Sequence, residues 1–156
     1  MQENDSPSFP PPGDLFTVWW DLTQTFKRHV TPVLAREHQV DFKDFMALNA
    51  IARGALYPGV LCERLSLTPS NASRVIDDLV KHGLVERQLD AADSRRVRLR
   101  LTEGGSQVLE SARHTMMALM DRGLSGLGAE QVGVFVDVMR HVTARLDGSA
   151  PHKASA

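Results

Sequence analysis

The hydrophobic period of the sequence changes within one segment, residues 58–101, and this change restricts the possible folds more than any other feature. From residue 58 to residue 83 apolar side chains recur every three or four positions, a spacing typical of α-helices. From residue 85 to residue 101 they alternate with polar side chains, as in half-buried β-strands. The segment therefore predicts helices followed directly by a β-hairpin.

The helical part of this segment predicts two helices joined by a tight turn. A short helix spans Pro58–Leu65, and Ser66-Leu67-Thr68 forms the turn. Thr68 is a favourable N-cap and Pro69 suits the first helical position, where its missing N–H costs nothing. Gly83 ends the second helix. We expect this helix to bury Ala72, Val75, Ile76, Leu79 and Val80. The arrangement is a helix-turn-helix.

Two alternating runs predict the hairpin. Val85, Arg87 and Leu89 form the first run, and Val97, Leu99 and Leu101 alternate with arginines in the second. The polar stretch 90–94 supplies the turn. A hairpin directly after a helix-turn-helix is a winged helix, so the predicted fold class is mainly α with a small β-hairpin wing.

Further helices flank this lobe on both sides. Pro32 predicts a kink or break near the end of the first helix, and Asp41 is the expected N-cap of the second. Thr102 caps a long helix that the 123–128 stretch interrupts, and a last helix starts near Ala129. We expect residues 1–13 and 148–156 to be disordered tails. The first helix has apolar positions at Leu15, Val18, Trp19, Leu22, Phe26 and Val30, and the second at Phe42, Phe45, Met46 and Leu48.

Composition excludes several classes of protein. The single cysteine, Cys62, allows no internal disulfide and no thiolate metal cluster. No apolar run approaches the roughly 20 residues that a membrane span needs, and the first residues lack the features of a signal peptide, so we expect a cytoplasmic protein. The sequence contains none of the common nucleophile, zinc-hydrolase or phosphate-loop motifs. We therefore expect no enzyme activity and no cofactor or bound metal.

Positive charge is concentrated in the winged helix although the whole chain has a net charge of −1. Eight of the 18 Lys and Arg residues lie between residues 64 and 100, together with five acidic residues, which gives this stretch a net charge of +3. A charged run alone can be a solvated face. Its position on a helix-turn-helix and a wing indicates double-stranded DNA as the partner.

The second helix of the helix-turn-helix carries side chains suited to base contacts on its predicted exposed face. Asn pairs with adenine, Arg with guanine, and Ser with bases or phosphates. An alternative for Ser70 and Asn71 is that they only complete the N-terminal cap. The candidate DNA-contacting residues of this helix are Ser70, Asn71, Ser73 and Arg74.

The hairpin adds a second set of candidates. Arginine at the tip of a protruding ribbon can enter a narrow minor groove, where negative potential is concentrated. We expect Asp93 to hold a neighbouring guanidinium or a helix-end donor. Arg98 and Arg100 lie on one strand face, and either contact phosphates or are simply solvated. The candidates of the wing are Asp93, Arg95, Arg96 and Arg98.

Five pieces of the sequence together resemble the MarR family of bacterial regulators, including its wing pattern of Asp, two residues, Asp, one residue, Arg. The resemblance is sharp over about residues 58–105 and extends over nearly the whole chain in helix order. The pieces are Leu61-Cys-Glu-Arg-Leu65, Thr68-Pro-Ser-Asn-Ala-Ser-Arg-Val-Ile-Asp-Asp-Leu79, Gly83-Leu-Val-Glu-Arg87, Asp90-Ala-Ala-Asp-Ser-Arg-Arg96 and Leu99-Arg-Leu-Thr-Glu-Gly104.

The resemblance implies a homodimer that binds a pseudo-palindromic DNA site. Its dimerisation helices would span about 14–38 and 103–147, and its winged-helix DNA-binding lobe about 41–102. It also implies Pro69–His82 as the recognition helix, with Asp93 and Arg95 as the functional residues of the wing. Many such proteins are repressors released from DNA by a small phenolic or lipophilic ligand. The chain departs from the family at Gln39-Val40, where Gly-Leu is common, which predicts a differently shaped end of the first helix.

Other candidate sites remain open. An aromatic effector could bind near the first helix, although the same side chains suit the core of a dimer interface. A redox role for Cys62 would need an activated thiolate, which neighbouring Glu63 disfavours. Glu110 and His114 lie four residues apart and could share a metal, but such surface pairs are common. A protein-interaction module is the alternative function, and it would be expected to lack the polar recognition face. The effector candidates are Trp19, Trp20, Phe26, His29 and Met46.

Overall fold

The computed structural model describes residues 12–91, 93 and 95–148, and in residues 12 and 13 only the backbone. The described part contains six helices and one two-stranded antiparallel sheet. In chain order the elements are α1 (Pro12–His38), α2 (Phe42–Ala52), α3 (Pro58–Leu65), α4 (Pro69–Lys81), β1 (Val85–Leu89), β2 (Val97–Leu101), α5 (Glu103–Leu124) and α6 (Ala129–Leu146). The predicted fold class, mainly α with a β-hairpin wing, is confirmed.

The chain divides into two compact units at Met116 and Met117. The core of the first unit lies where α2, α3, α4 and β2 meet. Its largest fully buried side chains are Leu34, Leu48, Leu61, Ile76, Leu79 and Leu99. The second unit contains α6, and none of the residues of α6, all of which the structure describes, is buried.

The predicted limits of the short helix, the N-cap of α4 and the two strands of the wing agree with the structure. The short helix has the expected limits, Pro58–Leu65, and Thr68 caps α4 through a hydrogen bond from the Asn71 amide to its Oγ1 atom. In the wing, Val85 pairs with Leu101 and Leu89 pairs with Val97. The Leu99 amide also donates to the Leu56 carbonyl at 2.7 Å, so β2 is fixed to the chain segment before α3.

Of the kink or break expected at Pro32, the break does not occur, because α1 continues through this proline to His38. A proline inside a helix costs about 3 kcal/mol through its missing hydrogen bond and its ring clash. Val30 and Leu34, on either side of it, are completely buried. Each such side chain contributes about 1.5–3 kcal/mol by its burial, so packing offsets the cost of the proline. The helix also begins at Pro12, two residues before the expected start, while the remaining tail residues, 1–11 and 149–156, lie outside the described part.

The structure shows the backbone conformation at Gln39, where the resemblance predicts a differently shaped end of the first helix. Gln39 has a φ angle of 56°, the left-handed conformation that glycine adopts most easily after a helix. The chain therefore makes a glycine-type helix end without a glycine. Asp41 then caps α2, accepting from the Asp44 amide at 2.8 Å, while the Asp44 carboxylate accepts from the Asp41 amide at 3.0 Å. The sequence predicted Asp41 as the N-cap, but it did not predict the reciprocal hydrogen bond to Asp44 that completes the capping box.

Gly105 allows the closest backbone approach in the first unit. A Cβ atom at this position would lie 1.9 Å from the carbonyl oxygen of Leu84. Thr102 joins the same elements, since its hydroxyl donates to the Gly83 carbonyl at 2.7 Å and accepts from the Gly105 amide at 2.9 Å. The start of α5 is thereby packed directly against the junction of α4 and β1.

Candidate nucleic-acid interface

Helix α4, the second helix of the helix-turn-helix, has one buried and one exposed face. Its apolar positions Ala72, Val75, Ile76 and Leu79 are buried, and Val80 is half-buried. Ser66 turns the chain between the two helices in the left-handed conformation, with a φ angle of 50°. The turn and the buried face together fix which side of α4 is turned to solvent. The side chains of Ser70, Asn71, Ser73 and Arg74 are all exposed.

Ser70 and Asn71, which were both possible capping residues, make different hydrogen bonds at the start of α4. The Ser70 hydroxyl lies 3.2 Å from the Thr68 hydroxyl, so it takes part in the polar group at the helix start. Asn71 contributes only its backbone amide to the cap, 3.3 Å from the Thr68 Oγ1 atom. The Asn71 side-chain amide is therefore not used by the cap, and capping explains Ser70 better than Asn71.

Acidic side chains lie one turn further along α4. Asp77 accepts a hydrogen bond at 2.6 Å from the guanidinium of Arg87 on β1. This ion pair is exposed, so its contribution to stability is modest, about 0–1 kcal/mol. It neutralises one carboxylate beside the recognition face and links α4 to the wing. Arg74 forms no ion pair with any residue that the structure describes.

Hydrogen bonds within the turn define the wing tip. The Asp90 amide donates to the Arg96 carbonyl at 3.0 Å, and the Arg96 amide donates to the Asp93 carbonyl at 2.9 Å. The Asp93 carboxylate accepts from the Arg95 backbone amide at 3.0 Å. The expectation that Asp93 holds a guanidinium or a helix-end donor is therefore wrong, because a short turn brings the nearest backbone N–H within reach first.

The four wing arginines have different surroundings. Within the described residues, neither Arg95 at the tip nor Arg98 on β2 has an ion-pair partner, and both are exposed. Arg100 lies 3.9 Å from Glu86 on the paired strand. The Arg96 guanidinium lies 4.3 Å from the centre of the Tyr57 ring, a cation–π contact. Arg95 and Arg98 are thus the wing cations most available to an external anion.

Sequence reasoning missed the contact between Tyr57 and the wing. The Tyr57 hydroxyl donates a hydrogen bond to the Asp90 carboxylate. This hydrogen bond, and to a lesser extent burial and the negative charge of Asp90, raises the pKa of Tyr57 above its usual value of 10.0. The wing pattern singles out Asp90, but nothing in the sequence pairs it with a residue 33 positions earlier.

The effector candidates lie on α1 and α2 with different exposure. Trp19 and Trp20 are about half exposed, Phe26 and Met46 are half-buried, and His29 is exposed. The His29 ring nitrogen Nδ1 lies 2.8 Å from the Thr25 carbonyl oxygen. Two open cavities in the first unit are lined by other residues, one beside Tyr57 and Arg96 and the other between His38 and His82. The structure thus does not bring the five effector candidates into either cavity.

The remaining candidates have ordinary surroundings. Cys62 is half-buried on α3. His114 lies 3.8 Å from Glu110 in an exposed pair on α5. The described residues include no group of three His, Cys, Asp or Glu side chains placed to share a metal ion. None of the helices in the described part has the length and hydrophobicity to cross a membrane.

The exposed polar face of a recognition helix beside a wing with free arginines defines a winged helix-turn-helix DNA-binding protein. The sequence profile described as the MarR family matches residues 38–96. The chain is 27% identical over 111 residues to an uncharacterized HTH-type transcriptional regulator of Mycobacterium bovis, covering 70% of this chain and 78% of that protein. It is 26% identical over 106 residues to the Escherichia coli transcriptional repressor MprA, covering 68% of this chain and 60% of MprA.

Solved structures agree with this assignment. Wild-type MarR from E. coli in its apo form superposes with a TM-score of 0.71 at 25% identity, over 86% of this chain and 98% of that one. CouR from Rhodococcus jostii, solved with p-coumaroyl-CoA bound, shares the fold with a TM-score of 0.72 at 20% identity, over 86% and 95% of the two chains. The match to the MarR family covers residues 38–96, and the chain is similar in fold to MarR itself. The chain is a DNA-binding transcriptional regulator, and the relatives it matches are regulators rather than enzymes.

Proposed function

We propose that this regulator is a cytoplasmic homodimeric repressor that binds a pseudo-palindromic DNA site and leaves it when a small phenolic or otherwise lipophilic ligand binds. One observation carries the DNA-binding part of the proposal. The exposed face of α4 and the wing tip both present arginines, Arg74 and Arg95, that have no ion-pair partner among the described residues. Repression is supported by the similarity to MprA, which is itself a transcriptional repressor.

The proposed base contacts come from α4. Asn71 has a side-chain amide that the helix cap does not use, and an amide can make two hydrogen bonds to adenine. Arg74, one turn further, can make the equivalent pair of hydrogen bonds to guanine. Ser70 and Ser73 suit phosphates or bases at the edge of the major groove. Each good two-bond contact contributes about 1–3 kcal/mol of discrimination against a wrong base.

The proposed minor-groove contact comes from the wing. Arg95 is fixed at its backbone by the Asp93 carboxylate, so its side chain starts from a defined position at the tip. A narrow minor groove attracts such a cation through its strong negative potential. Arg98, on the exposed face of β2, is the candidate for a flanking phosphate. Arg96 contacts the Tyr57 ring, so its proposed role is to stabilise the wing rather than to contact DNA.

We propose that a second copy of the chain packs against the exposed apolar side chains of α1 and α6. In the first unit, the amino-terminal half of α1 exposes aromatic and aliphatic residues, and in the second unit none of the residues of α6 is fully buried. Most of the stability of a helix in a protein comes from the packing of its apolar face. A two-fold dimer would place two recognition helices about one DNA turn apart. The exposed apolar residues are Leu15, Phe16, Val18, Trp19, Trp20 and Leu22 on α1, and Val134, Phe135, Val138, Val142 and Leu146 on α6.

The proposed effector acts by preferring a dimer whose lobes are misaligned for DNA. A ligand shifts such an equilibrium only by its difference in affinity for the two states. CouR, which shares this fold, binds an aromatic acyl-CoA, and the two tryptophans of α1 are half exposed and able to stack on an aromatic ring. The same tryptophans also suit the core of a dimer interface.

The test is fluorescence anisotropy with DNA from upstream of the protein's own gene, at two salt concentrations and with an unrelated duplex as competitor. Binding is expected to survive the competitor. Arg95→Ala should weaken it at least tenfold and lower the salt dependence by about one phosphate contact. Arg74→Ala should instead relax the sequence preference. Arg140→Ala, which removes an exposed arginine from the side of α6 opposite Val142, is the matched control and should bind normally. Equal binding of wild-type protein to any duplex would contradict the proposal.

A further inference from the structure

Tyr57 contacts both arms of the wing loop, which spans residues 90–96. On one arm its hydroxyl donates to the Asp90 carboxylate, and on the other its ring lies 4.3 Å from the Arg96 guanidinium. The two arms are joined by the hydrogen bond from the Asp90 amide to the Arg96 carbonyl, 3.0 Å long. Tyr57 is therefore placed across the base of the loop that carries Arg95.

A chain of hydrogen bonds continues from this contact to the tip. One oxygen of Asp90 accepts from Tyr57, and the other accepts from the Asp93 amide at 3.3 Å. The Asp93 carboxylate in turn accepts from the Arg95 amide at 3.0 Å. The phenol thus orients the carboxylate that begins the wing pattern, and that carboxylate orients the turn that holds Arg95.

The anchor of this chain is rigid. Tyr57 is the N-cap residue of α3, its carbonyl accepts from the Leu61 amide at 3.0 Å, and Pro58 follows at the first helical position. The preceding residue, Leu56, accepts the amide of Leu99 from β2 at 2.7 Å. A wing loop attached to a fixed point loses less conformational freedom when it enters a groove, and prior ordering of this kind increases affinity.

We propose that Tyr57 is a positioning residue for the wing, which holds the loop at Asp90 and Arg96 so that Arg95 is aligned for DNA. The proposal rests on the proposed function, because its effect on affinity requires that Arg95 contact DNA. The raised pKa of Tyr57 is consistent with it, since the phenol remains a hydrogen-bond donor throughout the neutral range. Tyr57 itself need not touch DNA.

The first experiment uses the fact that Tyr57 is the only tyrosine in the chain. Ultraviolet titration of tyrosinate in the full-length protein, without DNA, follows this phenol alone, with Tyr57→Phe as the blank. Asp90→Asn should lower the observed pKa toward the usual value, because the negative acceptor is gone. An unchanged pKa would overturn the contact between Tyr57 and Asp90 whether or not the protein binds DNA.

The second experiment is a double-mutant cycle on DNA affinity. Tyr57→Phe, which keeps the ring and removes the hydroxyl, should weaken specific binding about fivefold. In an Arg95→Ala background the same change should cost less than twofold, while in an Arg74→Ala background it should still cost about fivefold. A fivefold loss in both backgrounds would indicate a general structural effect and would overturn the positioning role. If wild-type protein binds no specific DNA, the proposed function fails, and the titration still decides whether Tyr57 contacts Asp90.

Discussion

The winged-helix lobe and α6 both contain many apolar side chains, but only the lobe buries them within the chain. Leu48, Leu61, Ile76 and Leu99 are almost completely inaccessible, whereas Val138 and Val142 on α6 are 54% and 47% exposed. Burial of a large aliphatic side chain contributes about 1.5–3 kcal/mol. The lobe therefore has the means to stabilise itself, whereas the proposed cover of the apolar face of α6 is a second copy of the chain. The same substitutions should accordingly have opposite consequences in the two regions.

Substitution of glycine by alanine is expected to give the largest difference in unfolding free energy between the two regions. Gly105→Ala would place a methyl group 1.9 Å from the Leu84 carbonyl oxygen, so we expect about 3 kcal/mol of destabilisation, the upper part of the range for overpacking. Gly133→Ala on α6 meets nothing within 4 Å and should stabilise the helix by about 0.5–1 kcal/mol. Urea unfolding of both variants measures the difference. Similar effects of the two changes would break the comparison.

Introducing a carboxylate into α6 tests what covers it. Val142 and Arg140 lie about 200° apart around the helix, on opposite sides. Val142→Asp should weaken self-association by about 2 kcal/mol, close to a thirtyfold rise in the dissociation constant, because a charge would enter an apolar interface. Arg140→Asp, which places the same side chain on the polar side, should leave the dimer intact. Sedimentation velocity across a range of protein concentrations distinguishes them, and a monomeric wild type would refute the dimer.

A smaller effect is expected at the end of α1. Gln39 adopts a φ angle of 56°, which costs a residue with a β-carbon about 1–2 kcal/mol. Gln39→Gly removes this strain but increases the entropy of the unfolded chain, so the net gain in unfolding free energy should be about 0.5–1 kcal/mol. Gln39→Ala retains the β-carbon and should give no such gain. If both variants unfold at the wild-type urea concentration, the strain is not significant.

The smallest predicted effect concerns pH. Burial raises the pKa of Asp44 above 3.8, with the charges of Asp41 and Asp78 adding to the shift. A raised carboxyl pKa favours the folded state at low pH, and this contribution is lost as the pH rises through the shifted pKa. Asp44→Asn should therefore be stabilised relative to wild type by a few tenths of a kcal/mol at neutral pH, and the advantage should vanish in acid. An advantage that is equal at both pH values would contradict this assignment.

The parts of the fold that the sequence predicted well are those specified by neighbouring residues. The Ser66-Leu67-Thr68 turn, Pro69 at the first position of α4 and the alternation along β2 are local signals, and the elements begin and end where these signals indicate. The break expected at Pro32 does not occur, because the burial of Val30 and Leu34 offsets the free-energy cost of a proline inside a helix. This burial is a tertiary effect. The candidate base-reading residues were predictable because they occupy the side of α4 opposite its apolar positions.

The parts that the sequence could not predict depend on contacts between distant residues. The hydrogen bond from Tyr57 to Asp90 and the position of Arg96 over the Tyr57 ring join segments more than 30 positions apart. The Asp93 carboxylate accepts from the Arg95 backbone amide because of the backbone conformation of the turn, which the sequence does not specify. Periodicity predicts which face of an element is buried, but it does not specify which polar partner a side chain meets across the fold.

Hydroxyl-radical footprinting on the upstream DNA tests the central claim most directly, because it reports the protection of each deoxyribose along both strands. The account predicts two symmetric half-sites about one helical turn apart, each with protection in the flanking minor groove. Arg95→Ala should lose the flanking protection and keep the central pattern of each half-site. A single unsymmetrical footprint, or flanking protection that survives Arg95→Ala, would contradict the assignment of α4 and the wing as the paired DNA-reading elements of a dimer.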